Sequence, residues 1–226
     1  MKEDKKKEKS EIVIPKYSAL EEKMNMISHI VGVFFGLVAL IMTLIYSSKI
    51  GSTAGIITSI VYSLSIIILY ACSSYYHGLR NLQYKRIFRV LDHCSIYLLI
   101  AGTYTILSVC GVVPIHPAIG WVIFGCVWLM AILGIVLNAI NIEKFKIVSL
   151  ILNILIGWFA VFFSSYVIDA ITLPGFMMIV SGGICYTVGA ITYAIGKKKR
   201  YFHFVFHLLC LVGTIVHFLG IFIFCI

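Results

Sequence analysis

Apolar residues collect along the chain into seven long stretches, at about 26–47, 54–76, 90–110, 117–140, 147–168, 173–195 and 203–225. A bilayer's hydrocarbon core, about 30 Å thick, takes about 20 residues of helix to cross, and every stretch reaches that length. Short segments carrying Gly, Pro, Ser or charge separate them. The pattern predicts an all-α fold, a bundle of seven transmembrane helices, with residues 1–20 as a charged, disordered tail and residues 21–226 as one membrane domain. No internal repeat is visible. Gly32 to Gly36 and Gly51 to Gly55 have the GxxxG spacing that lets helices approach closely.

Composition strengthens this reading. The chain is 61% hydrophobic and 12% charged, with a mean hydropathy of +1.05, whereas soluble domains are about 45–50% apolar and about 25% charged. The first 23 residues hold seven lysines and no apolar core of a signal peptide, so no cleavable leader is expected. The formal charge of +9 sits in short segments beside apolar stretches, with no soluble basic face for nucleic acid. The seven cysteines all fall in or beside apolar stretches and form no CxxC pair. They read as small packing residues, with no disulfide framework or zinc ribbon.

Charge also gives a direction. Lys2, Lys5, Lys6, Lys7, Lys9, Lys16 and Lys23 precede the first stretch; Arg80, Lys85, Arg86 and Arg89 lie between the second and third. Lys144 and Lys146 lie between the fourth and fifth, and Lys197, Lys198, Lys199 and Arg200 between the sixth and seventh. Only Lys49 falls on the other side. The positive-inside rule then predicts a cytoplasmic N-terminus and an external C-terminus. No span carries a central lysine for a retinal Schiff base.

That direction brings polar groups to one leaflet. His203 and His207 stand one turn apart in the first turns of the seventh stretch. His77 is near the end of the second, with Ser73 one turn deeper on the same face, and Asp92 opens the third. Glu22, Asn25 and His29 share a face of the first. Intramembrane ionisable groups are costly, so such clustering points to a site. Three neutral imidazoles suit zinc, with a fourth position left for water, and Asp92 suits a general base or a partner to a ligand. Ser73 is placed to hydrogen-bond a bound carbonyl or His77. The plainer alternatives are an Asp92–Arg89 ion pair and helix capping by Glu22 and Asn25. His29 reads as a packing group, His93 as structural, and His217, about 21 Å deeper than His203, as an interhelical hydrogen-bonding group.

In order along the chain, Glu22-x-x-Asn25-x-x-x-His29, Ser73-x-x-x-His77, Asp92 and His203-x-x-x-His207 followed by His217 resemble the hemolysin III family, the bacterial branch of the progestin and adipoQ receptor superfamily. The resemblance covers about residues 18–226. It implies seven helices with a cytoplasmic N-terminus and zinc held by His77, His203 and His207, with Asp92 and Ser73 beside it. The sequence is also similar to alkaline ceramidase-like membrane hydrolases, which implies hydrolysis of a lipid amide, and the family name implies a cytolytic activity.

The expectation is therefore a multi-pass protein of the cell (inner) membrane with an inner-leaflet zinc site, acting as a zinc-dependent amidohydrolase on a membrane lipid. Asp92 and Ser73 would be catalytic, and no nucleic acid is involved. The rival readings are a non-enzymatic regulator or receptor-like protein with a structural zinc, and a cytolytic pore former.

Overall fold

The computed structural model describes residues 12–196 and 199–226. Residues 1–11 of the expected tail and the expected cytoplasmic lysines Lys197 and Lys198 lie outside the described residues. Among the described residues, six helices are long and apolar enough to cross a membrane: α1 Ala19–Lys49, α2 Thr53–Gly78, α3 Leu82–Ile106, α4 Pro117–Gly157, α5 Ser164–Gly196 and α6 Phe202–Phe224. A π-helical stretch, Leu107–Val112, prolongs α3, and a single turn, Phe159–Phe162, separates α4 from α5.

Local chemistry explains most of the ends. Ser18 caps α1 in a capping box with Glu21, so two backbone donors at the helix start are satisfied reciprocally. Ser52 caps α2 by accepting from the Gly55 backbone N–H, and Asn81 caps α3 by accepting from those of Gln83 and Tyr84. Pro117 opens α4 in the first turn, where its missing N–H costs nothing. Glu22 and Asn25, weighed above as caps, are instead turned into the bundle.

The expected fourth, fifth and sixth spans are not separated by loops. Instead, helix runs through both gaps and breaks at single residues. Asn141 leaves helical geometry (φ −164°, ψ 94°), and its side-chain oxygen accepts from the Lys144 backbone N–H at 2.9 Å, so it acts as an N-cap inside α4. Before it, α4 runs antiparallel to α3: the Trp128 indole donates to Thr105, Cys94 Sγ to the Ile135 carbonyl and the Asn138 amide to the His93 carbonyl. After it, the order reverses. Arg89 meets Glu143, Tyr97 meets Ser149 and Tyr104 meets Gly157. A second break falls at Thr172, whose φ is 66°, two residues before Pro174. Asp169, expected in a loop, lies in α5 just before that break and meets His116 at 3.3 Å. Beyond it, α5 lies antiparallel to α6, with Tyr186 bonded to Thr214 and Tyr193 packed against His203.

α3 and its extension form the centre. Of their most apolar window, 72% is buried, against 28–50% for the other long helices. Buried Tyr62, Ile66, Tyr70, Tyr97, Ile106 and Ile221 fill the core around them. Outward, the bundle presents bare apolar side chains such as Phe34, Leu129, Ile140 and Phe162, each at least 64% exposed. A surface this apolar needs lipid around it, and the chain is a multi-pass membrane protein.

Candidate metal centre

At one end of the bundle α2 finishes, α3 starts and α6 starts. There His77 on α2 and His203 and His207 on α6 turn their rings inward. His203 Nε2 lies 3.2 Å from His77 Nε2 and 3.0 Å from His207 Nε2. One ligand nitrogen from each ring lies within 4.8 Å of the others, and all three residues are buried. Two imidazole nitrogens bound tetrahedrally at about 2.0–2.1 Å would stand about 3.3 Å apart, close to the spacing seen.

The tautomers fit as well. His77 Nδ1 donates to Glu22 Oε2 at 2.6 Å, and Lys85 Nζ donates to Glu22 Oε1 at 2.6 Å. A neutral His77 then carries its proton on Nδ1, which leaves the Nε2 lone pair facing His203. Neighbouring lone pairs aimed at a common point repel one another unless a cation or proton sits between them. The donor set thus fits a zinc ion, with Glu22 in the carboxylate-to-imidazole contact that orients such ligands.

Other rings pack around the three. His29 stacks on His207 with centroids 3.7 Å apart, and Tyr70 meets His29 edge-on at 4.9 Å. Asn25, completely buried, lies one turn before His29 on α1. His217 stands apart, donating from Nε2 to the Ile179 carbonyl of α5 at 2.8 Å, the interhelical role its depth suggested. His93 donates from Nδ1 to the Arg89 carbonyl, with Nε2 3.4 Å from the Tyr193 hydroxyl.

Asp92 and Ser73 lie close together, although the Ser73 hydroxyl makes no hydrogen bond of ordinary geometry among the described residues. Asp92 does not form a close ion pair with Arg89, whose guanidinium goes to Glu143 on α4. With His203 they line a cavity of about 450 Å³ that continues past Ile96, Leu150 and Trp158 to His217. Of the three candidate ligands only His203 reaches the cavity wall. Hence Ser73, Asp92 and one of the three candidate ligands, His203, face a shared space, together with His29, His93 and His217, while His77 and His207 stand behind.

Sequence reasoning placed the three histidines, Asp92 and Ser73 at one end, and the structure brings them there. It did not find the Glu22 contact to His77, the Lys85 ammonium behind it, or the Tyr17 ring that lies parallel to His203 at 4.8 Å. Glu22 was visible as part of a motif, but its partners are 55 and 63 residues away, beyond any local pattern.

The chain is similar to known proteins. A family model described as "Haemolysin-III related" matches residues 17–218. Hemolysin-3 of Bacillus cereus is 32% identical over 198 residues, covering 88% of this chain and 89% of that protein. A Hemolysin-3 homolog of Bacillus subtilis (strain 168) is 30% identical over 210 residues, covering 93% and 97%. The match runs from Tyr17, which stacks on His203, to just past His217, and the chain belongs to the haemolysin-III-related family.

Proposed function

We propose that this protein is a zinc-dependent hydrolase of a membrane lipid amide, working at the cytoplasmic leaflet of the cell membrane. The observation that carries the reading is the shared cavity: an acid, a hydroxyl and a candidate ligand imidazole open onto one apolar space. A purely structural metal has no need of such a space.

Bound by His77, His203 and His207, zinc supplies Lewis acidity, polarising a carbonyl oxygen and acidifying a water. The protein's own groups do the rest. Glu22 holds the His77 ring in register through Nδ1. Asp92 accepts the proton of the attacking water and returns it to the leaving amine. Ser73, against Asp92, donates to the scissile carbonyl or fixes the carboxylate. The apolar depth of the cavity takes a hydrocarbon chain and keeps bulk water from the reacting bond.

Seven crossings belong to the same proposal, with the N-terminus in the cytoplasm. Helix α4 has 41 residues, about 60 Å at 1.5 Å per residue, twice the hydrocarbon thickness. The reversal of its contacts along α3 at Asn141 supports two crossings there. The 17 basic residues assigned to one side support the orientation.

The test is a matched comparison of wild type and Asp92→Asn for zinc content, thermal stability and cleavage of a panel of lipid amides. Turnover should fall about 10²- to 10⁴-fold, the range for a general acid–base group, with zinc retained. Full zinc without cleavage in the wild type would favour a second reading, supported by the junction of α2 and α6 through the histidines: a non-enzymatic protein whose metal braces the helices. The cytolytic reading draws its support from the names of relatives.

A further inference from the structure

The three candidate ligands are held in different ways. His77 is anchored through Nδ1 by Glu22. His207 is clamped face to face by His29. His203 has neither device: its Nδ1 has no hydrogen-bond partner among the described residues, and Tyr193 and Phe206 meet its ring at tilted angles of 52° and 40°. The one ring parallel to it is Tyr17, at 4.8 Å and 18°. Tyr17 belongs to no helix. It sits on the extended segment that precedes α1 and lies across the histidine end of the bundle.

That segment is fixed on several sides. The Val13 backbone amide faces the Glu143 carboxylate of α4. Pro15 and Tyr17 both line the wall of the large cavity. Just beyond, Glu21 accepts from Ser18 and from the Tyr201 backbone N–H at 2.8 Å, which ties the start of α1 to the start of α6. Burial, with the Tyr193 hydroxyl and Glu22 nearby, pushes the Tyr17 phenol up from its ordinary value, so it stays a neutral ring throughout the physiological range.

We infer that Tyr17 is a residue of the site: residues 12–18 form a strap across the end of the bundle, and the Tyr17 ring positions His203 and shields it from water. The inference places a positioning residue outside the helical motifs. Its consequence for ligands is that water-borne metal and reagents reach His203 past this ring, whereas a chain dissolved in the bilayer approaches from the apolar side. It rests on the metal reading for that consequence, but the shielding itself does not require metal.

The full-length protein in detergent micelles tests it twice. Metal-stripped wild type, Tyr17→Ala and Tyr17→Phe are treated with diethyl pyrocarbonate, and acylation of His203 is followed by peptide mass, with His116 at the far end as the control for an intact fold. Tyr17→Ala should raise the His203 rate between about two- and tenfold, the span an aromatic contact of this kind represents, while Tyr17→Phe, which keeps the ring, stays at the wild-type rate. In zinc-loaded protein, transfer of zinc to an excess of a chromogenic chelator should accelerate in the same order. Equal His203 rates in Tyr17→Ala and wild type, with His116 unchanged, would overturn the inference. Faster labelling in a protein that retains no zinc would uphold the strap and remove the metal reading instead. Unchanged chelator kinetics in a Tyr17→Ala protein that does hold zinc would also overturn it.

Discussion

His203 and His207 share one face of α6, and their spacing of four residues was enough to find them. What spacing could not give was which of their neighbours complete the site. His217 lies on the same helix, yet its Nε2 is committed to the Ile179 carbonyl. We therefore expect His203→Ala or His207→Ala to remove most of the bound zinc and His217→Ala to retain it, read as metal per chain in purified protein; full zinc in the His203→Ala/His207→Ala double variant would exclude this ligand set. Glu22→Gln should keep the fold but lower metal affinity by about 10- to 100-fold, as loss of an orienting carboxylate does elsewhere, measured by competition with a chelator. Asp92 and Ser73 were legible because each falls near the end of an expected span, although α3 itself begins ten residues before Asp92. Glu22 and Tyr17 were not, because their partners lie on helices far along the chain.

Among the elements, the first three and the last were readable from hydropathy, the second and the last to within two positions, whereas α1 and α3 begin seven and eight residues before their expected starts. The middle was not. Residues 141–146 and 169–172 combine charge, Asn and Thr, which sequence alone suggests as loops, but each reversal is made at one residue with helix on both sides. Asn141 succeeds because its side chain replaces a lost backbone partner at Lys144. Thr172 holds a positive φ that favours glycine. These two breaks should respond in opposite directions to substitution. Asn141→Ala should destabilise by about 1 kcal/mol, the usual worth of an N-cap, and Thr172→Gly should stabilise by about 1 kcal/mol through relief of backbone strain. Thermal unfolding in a single detergent, followed by loss of the monodisperse peak, measures both. Another close helix contact is of a different kind: a Cβ at Gly182 would fall 2.1 Å from the His217 ring, so side chain and backbone there already touch.

The molecule as a whole is an apolar shell around a polar end. Membrane class and an all-helical fold followed from composition, because so apolar a surface has no soluble counterpart. The cavity did not follow, since its wall draws residues from α1 to α6 and from the strap, and no periodicity encodes a void. Orientation remains a matter of charge. A reporter active only in the cytoplasm should be bright when fused after Gly196 and silent when fused after Phe224, given an N-terminus inside. The opposite pattern would put the histidine end outside and move the proposed chemistry to the other leaflet.

His77 and His203 are 126 residues apart, and they nevertheless sit nitrogen to nitrogen. During synthesis the second helix enters the bilayer long before the last one exists, so for most of that time the His77–Glu22 pair has no imidazole partners. A metal ion that joins the two would close a very long loop, and the entropy so removed from the open chain grows with loop length, though slowly. Metal supply would then influence the order of assembly as well as the finished protein: in zinc-starved cells, α6 should be the part of the newly made chain most easily cut by protease.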